Sequence, residues 1–311
     1  VSYFQYNVGK TNIVACLQGG GAATAWQAGA LLPFIEHPDI HFSAITGTSG
    51  GALNGAILKH VFARHSQGEE GKARASSRLK DAWINHIAID DLTANCVAFH
   101  SLINPVGHAM LAHANRGVFT RKLEQTLYTV LPDDEALKSS KGPAFYVQTV
   151  DENVQKGILY TGKDITRECI LASAALKECF HSVNGQIDGA YLGGANPPSP
   201  AKRHVDKADH VMYFMTAAEP ASVIPKKQCD LTAAELESDQ IIREQAYCEI
   251  ELLRQQGYPV TVIAPEKSFT DSEKSMTGRF TINRRINEGE ISGTQTLHNI
   301  LRYHHRYKIP A

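Results

Sequence analysis

The chain has almost no charge imbalance: 31 Lys and Arg stand against 32 Asp and Glu, a formal net charge of −1 over 311 residues. That balance excludes a nucleic-acid binder working through a broad basic field. Long apolar runs are missing too. The longest patches, such as Ala28–Ile35, are short and interrupted, well below the roughly 18 residues of a membrane-spanning helix. Val1–Lys10 has neither the basic start nor the apolar run of a secretory signal, and no initiator Met, as in a processed chain. None of the six cysteines (Cys16, Cys96, Cys169, Cys179, Cys229, Cys248) forms a C-x-x-C pair. A zinc ribbon or a thioredoxin site is thereby excluded, and reduced thiols in a cytoplasmic protein are expected. Among 14 histidines there is no H-E-x-x-H, pairs such as His304-His305 read as surface residues, and no metal is expected.

What is present is an ordinary globular mixture, 43% hydrophobic and 20% charged. A chain of this length buries roughly 75% of its extended surface, so a single domain over residues 1–311 is the expectation. Residues 11–18, TNIVACLQ, form a β-branched apolar run stopped by three glycines, which reads as a buried parallel strand. AATAWQAGALLPFIE follows as a helix with Trp26, Ala30 and Phe34 on one side, and Pro33 is expected to bend or end it near Leu32. HFSAITGT is a second short strand, and GGALNGAILKHVFARH a second helix with Leu53, Ala56, Ile57 and Val61 on one face. Two strand–turn–helix units in the first 65 residues predict an α/β fold with a mostly parallel sheet.

Further along, residues 66–75 are polar and read as an exposed loop, within a mostly helical region reaching Leu131. Residues 93–115 are apolar without clear period, fitting either a cap over a site or a loop packed on the core. Residues 117–131 predict an amphipathic helix closed by Pro132. Residues 145–152 and 156–162 alternate like paired strands, and 166–176 read as a short helix. Strands are expected at 210–220 and 259–266 with a helix at 238–256 between them. The tail from Phe269 is polar until a terminal helix in TLHNILRYHHRY.

Three features carry chemistry. Gly47-Thr48-Ser49-Gly50-Gly51 fits G-x-S-x-G between a predicted strand and a predicted helix. A serine on such an elbow takes a crowded backbone conformation, so small neighbours (Gly47, Gly50, Gly51) are needed for the helix to pass close to the strand. The hydroxyl then stands at a helix N-terminus, where the dipole favours negative charge. The competing reading is a Gly/Ser turn and nothing more. Gly19-Gly20-Gly21 closes the first strand and suits either a phosphate cradle or an oxyanion hole. No Lys-Ser or Lys-Thr follows, and Thr24 stands where a dinucleotide fingerprint needs Gly, although Glu36 or Asp39 lies near the place of a ribose-binding acid. Asp188-Gly189-Ala190 opens a glycine-rich loop, which alone is a common turn. His204, His210 and His298 follow the serine and permit a Ser–Asp–His order, but none stands in a distinctive loop.

In combination, LQGGGAATAWQAGAL, ITGTSGGALNGAIL, ILASAAL and DGAYLGGANP resemble the patatin-like phospholipase family, in order and spacing, over residues 11–219. The resemblance implies a three-layer α/β/α fold with a mostly parallel central sheet; residues 66–117, read as a helical cap-like insertion, and 269–311, read as a C-terminal extension, carry no match to the family. It implies a lipid acyl hydrolase acting through an acyl-serine, with Ser49 as nucleophile, Asp188 as its base without a histidine, and Gly19, Gly20 and Gly21 as the oxyanion hole. No cofactor or metal is implied. The expected partner is a lipid or ester substrate, with peripheral membrane contact and no nucleic acid. Two departures stand out: Ala23 and Thr24 occupy the positions of the family's usual Arg-Gly, and D-G-A replaces D-G-G. The alternatives are an inert or regulatory binding protein on the same fold, or a nucleotide-binding Rossmann-like module.

Overall fold

A computed structural model describes residues 10–88, 116–177, 179–191, 196–218, 233–269, 274 and 277–307, with side chains described outside 233–243 and 303–307. The first strand, β1 (Thr11–Leu17), is buried almost throughout. Its two faces feed two cores, as the two-residue period of a strand requires. Ile13, Ala15 and Leu17 join a large apolar cluster that includes Leu31, Phe34, Ile57 and Phe62. Val14 and Cys16 join a smaller one with Tyr146, Tyr213, Ala246 and Ile250.

Helix α1 (Thr24–Glu36) leads to β2 (Ile40–Gly47), which pairs with β1 in parallel; α2 (Gly50–His65) follows directly. α1 runs on through Pro33 instead of ending near Leu32. Leu31, Leu32, Phe34 and Ile35 are each fully buried. At about 1.5–3 kcal/mol per side chain, that burial outweighs the roughly 3 kcal/mol cost of an internal proline.

The stretch expected as an exposed loop at 66–75 is mostly helix: α3 (Glu69–Asp81) begins three residues after Ser66. Glu69 and Glu70 occupy its first turn, and Arg78 and Lys80 its last, as the helix dipole favours. A π-helical turn (Ala82–Ile87) continues it. Of the apolar stretch 93–115, nothing lies within the described residues. α4 (Arg116–Val130) and the short α5 (Glu135–Lys138) lead to β3 (Ala144–Asp151) and β4 (Lys156–Thr161), which pair as expected and do so antiparallel. α6 (Arg167–Ser173), β5 (Gln186–Asp188), α7 (Lys202–Val205), β6 (His210–Phe214), α8 (Ala233–Gln255), β7 (Val260–Ile263) and α9 (Arg279–Tyr307) complete the chain.

The sheet order is β4-β3-β2-β1-β6-β7, with β5 joined to β3. β7, β6, β1, β2 and β3 are mutually parallel. Helices cover both faces, giving the three-layer α/β/α arrangement with a mostly parallel sheet. α9 is longer than the expected terminal helix, beginning at Arg279 inside the stretch read as a polar tail. It packs on α1 through glycine: a Cβ at Gly289 would stand 1.9 Å from Trp26 O, and one at Gly29 2.0 Å from Ile286 O. Among the described residues no helix is long and apolar enough to cross a membrane. Among the described residues Cys16, Cys169 and Cys248 are free thiols; Cys96 and Cys229 lie outside them.

Candidate active site

β2 and β5 meet head to head along one edge of β3. β2 runs parallel to β3 and ends with Gly47 opposite Val147. β5 approaches from the other direction and ends with Asp188 opposite Thr149. Gly47 and Asp188 are thus two β3 residues apart, about 7 Å along the strand at ~3.3 Å per residue. The chain leaves β2 through Thr48 and Ser49 and enters α2 at Gly50.

Ser49 is the strained residue of that turn, with φ 55° and ψ −129°, a region L-residues avoid. It is 5% exposed. Its N–H donates to Ser173 Oγ at 2.9 Å, and Ser173 Oγ donates in turn to Gln148 O at 2.7 Å. The end of α6 therefore braces the elbow against β3. Gly51 lets α2 lie on the end of β1: a Cβ there would stand 2.3 Å from Leu17 O and 2.6 Å from Gln18 O. At Gly47 a Cβ would meet Gly51 O at 2.7 Å, and at Gly50 it would meet Thr24 Oγ1 at 2.2 Å. All three elbow glycines are thus dictated by close approach.

Asp188 is fully buried. Its N–H donates to Ala175 O at 3.1 Å, and its Oδ1 accepts from Ala190 N–H at 2.8 Å. The adjoining Gly189 touches the elbow: a Cβ there would be 2.7 Å from Thr48 Cγ2 and 2.7 Å from Gln148 O. The D-G-A loop and the G-x-S-x-G elbow are therefore packed directly together.

The glycine loop closes the third side. Gly20 and Gly21 have φ of 155° and 54°, conformations that favour glycine. A Cβ at Gly50 would stand 3.1 Å from Gly21 O, which places the loop beside the elbow. Gln27 Nε2 donates to Gln18 O at 2.9 Å, and Thr216 Oγ1 donates to Gly19 O at 2.5 Å. Each peptide is planar and trans. Holding those two carbonyls therefore turns the N–H groups of Gly19 and Gly20 the opposite way. Among the described residues, the N–H groups of Gly19, Gly20 and Gly21 find no backbone acceptor.

The supporting residues escaped the sequence reading. Gln18 Oε1 accepts from the N–H groups of Thr216 and Ala217 at 2.7 and 3.2 Å. Asn54 Nδ2 donates to Thr24 O and to Gln27 Oε1, both at 3.0 Å, and its Oδ1 accepts from Trp83 Nε1 at 2.8 Å. The available signal was amide side chains at apolar positions, Gln27 in α1 and Asn54 in α2, since buried polar groups are hydrogen-bonded. Ala23, at the position of the family's Arg, is fully buried in the turn; Thr24 donates its hydroxyl to Gly21 O at 2.6 Å. Of the histidines weighed as bases, His204 lies against Tyr146 with its Nε2 3.0 Å from the phenol oxygen, and burial holds it below the usual histidine range.

The family model described as patatin-like phospholipase matches residues 15–176, just over half of the chain. Among solved structures, VipD from Legionella pneumophila is similar at 12% identity, over 94% of this chain and 67% of that one, with a TM-score of 0.44. No curated protein matches. The matched residues contain the glycine loop, the elbow, β3 and the bracing helix α6, and on that match the chain belongs to the patatin-like phospholipase family.

Proposed function

We propose that the chain hydrolyses carboxylic esters of acyl lipids, with Ser49 as nucleophile and Asp188 as its base. Family membership supports lipid acyl hydrolysis as the class of reaction. The observation that carries the residue assignment is the head-to-head ending of β2 and β5 on β3, with Ser49 at φ 55° on the elbow.

In this reading Ser49 Oγ bonds to the ester carbonyl carbon while its proton passes to the Asp188 carboxylate. The carbonyl electrons move onto oxygen. A carboxylate of ordinary pKa, about 3.9, is a weak base toward a hydroxyl, so the oxyanion must be strongly held. Gly20 and Gly21 supply the amide donors, with Gly19 beside them and the N-terminus of α2 adding its dipole. Each such donor is worth about 3 kcal/mol. Collapse expels the alcohol, which takes the proton back from Asp188. Water then adds to the acyl-serine, passing its proton to Asp188; release of the fatty acid returns that proton to Ser49.

The test is covalent labelling with a fluorophosphonate beside turnover of a soluble p-nitrophenyl ester. The unaltered chain labels and turns over, Ser49→Ala does neither, and Asp188→Asn loses nearly all turnover. Unchanged turnover in either folded variant overturns the assignment.

A further inference from the structure

The first two turns of α4 are built against the rules for a helix on a plain solvated surface. Val118 and Phe119 are 54% and 40% exposed. Arg116, Arg121 and Lys122 accompany them, with no acidic residue in the first turn and none before Glu124. A cation at a helix N-terminus opposes the helix dipole, so helix stability is not what places Arg116 there. Among the described residues these three make no ion pair. At 100° per residue, Arg121, Val118, Lys122 and Phe119 follow one another across one face. Leu127, half a turn round from Val118, is buried in the core.

The other side of the helix packs toward the candidate site. Thr120 Oγ1 accepts from the N–H of His181 at 2.9 Å, and a Cβ at Gly117 would stand 3.5 Å from His181 Nε2. Six residues before His181, Ala175 O receives the N–H of Asp188. A single short stretch thus joins the exposed turns of α4 to the loop that presents the carboxylate.

Exposed apolar side chains interleaved with cations match a lipid interface with an anionic headgroup layer, where the rings and methyls enter the acyl boundary and the cations meet phosphate. We infer that the first two turns of α4 dock the protein on an anionic membrane surface, with Val118 and Phe119 inserted and Arg121 and Lys122 on the headgroups. This rests on the acyl-lipid reading above only for its purpose; the docking itself is separately measurable.

The experiment is co-sedimentation with phosphatidylcholine vesicles, with and without phosphatidylglycerol, at low and high salt, beside soluble-ester turnover. The unaltered chain binds the anionic vesicles, and salt weakens that binding. Arg121→Gln with Lys122→Gln weakens it roughly 25-fold, at about fivefold per charge. Phe119→Ser weakens it at least about tenfold. Both variants keep soluble-ester turnover within about twofold of the unaltered chain, since none of the three side chains belongs to the catalytic machinery assigned above. Equal binding to neutral and anionic vesicles, no binding at all, or undiminished binding by either variant overturns the inference. Vesicle binding without any ester turnover leaves the docking surface standing and removes the hydrolase reading instead.

Discussion

Replacing Gly51 by Ala tests whether the closeness of α2 to β1 sets the site. The added Cβ would lie 2.3 Å from Leu17 O and 2.6 Å from Gln18 O, where ordinary contact begins at 3.4 Å. Relief therefore requires a movement of about 1 Å. The strand end cannot supply it easily, because Gln18 N–H is bonded to Phe214 O at 3.1 Å and Leu17 O accepts from Thr48 N–H at 3.3 Å. The helix must move instead, and Ser49 moves with it, away from the glycine loop. A 1 Å misplacement costs on the order of a hundredfold in rate, and overpacking costs about 1–3 kcal/mol in stability. The assay is soluble-ester turnover and fluorophosphonate labelling rate, with the urea midpoint measured in parallel. Gly68→Ala is the control: at φ −76° its nearest neighbour is Ser66 Oγ at 3.6 Å, so activity stays unchanged and stability shifts by less than about 1 kcal/mol. A folded Gly51→Ala protein with turnover within threefold of the parent, about the experimental scatter expected from a neutral change, refutes the reasoning.

Thr216→Val keeps the shape but removes the donor to Gly19 O; kcat falls on the order of tenfold with KM unchanged, a fraction of what outright loss of an oxyanion donor costs. Gly189→Ala places a methyl 2.7 Å from Gln148 O and from Thr48 Cγ2, so turnover falls by about a hundredfold or more, whereas Ala190→Gly, which keeps the N–H to Asp188, stays near parental turnover. Burial pushes Lys59 down to about 8 although its Nζ donates to Ser139 O and Lys141 O at 2.7 and 2.6 Å; Lys72 is likewise at about 8. The unfolded chain then holds more protons above pH 8, so stability rises from about pH 8 toward 9 and that rise is smaller in Lys59→Met. Above pH 9 the buried thiols of Cys16 and Cys169, both raised from 9.0 (Cys169 to about 11), pull the opposite way, one against each lysine, which confines the rise seen by thermal unfolding to that window.

Elements with a strong apolar period were legible in the sequence. β1, β2 and their following helices, the β3–β4 pair and α4 lie where alternation and glycine stops place them. Misreadings fell where another force replaces apolar burial. The first half of α3 reads as a loop because its buried face includes Gly71 and Lys72; Lys72 is held by the carbonyls of His37, Pro38 and Ile40. Half of α9 was read as tail because Gly289 and Gly293 form its contact with α1, and glycine carries no hydropathy signal. The strand β5 was too short, at three residues, to show a period. At the site, Ser49 and the glycines were legible because strain and close approach restrict residue type. Ser173, Gln27 and Thr216 were not, since a hydrogen bond to a distant backbone leaves no local pattern.

The family match ends at residue 176, twelve residues before Asp188, yet the matched residues determine where Asp188 stands. Its N–H is received by Ala175 O and its strand is registered on Thr149, both inside the match. The next residue must be glycine, because Gln148 O and Thr48 Cγ2 occupy the space of a Cβ. The residue after that contributes only an N–H, to Asp188 Oδ1. The glycine of the Asp-Gly pair is therefore demanded by surroundings that the elbow and β3 already create, and the third position is indifferent between Gly and Ala. By the same logic the missing Arg at position 23 is not a hole in the frame. Ala23 fills a closed turn, and the carbonyls behind the glycine loop are held by Gln27, Thr216 and Thr24. Orientation of the loop amides thus depends on neutral hydrogen bonds from α1 and from the segment that follows β6, and an added cation is not needed to aim them.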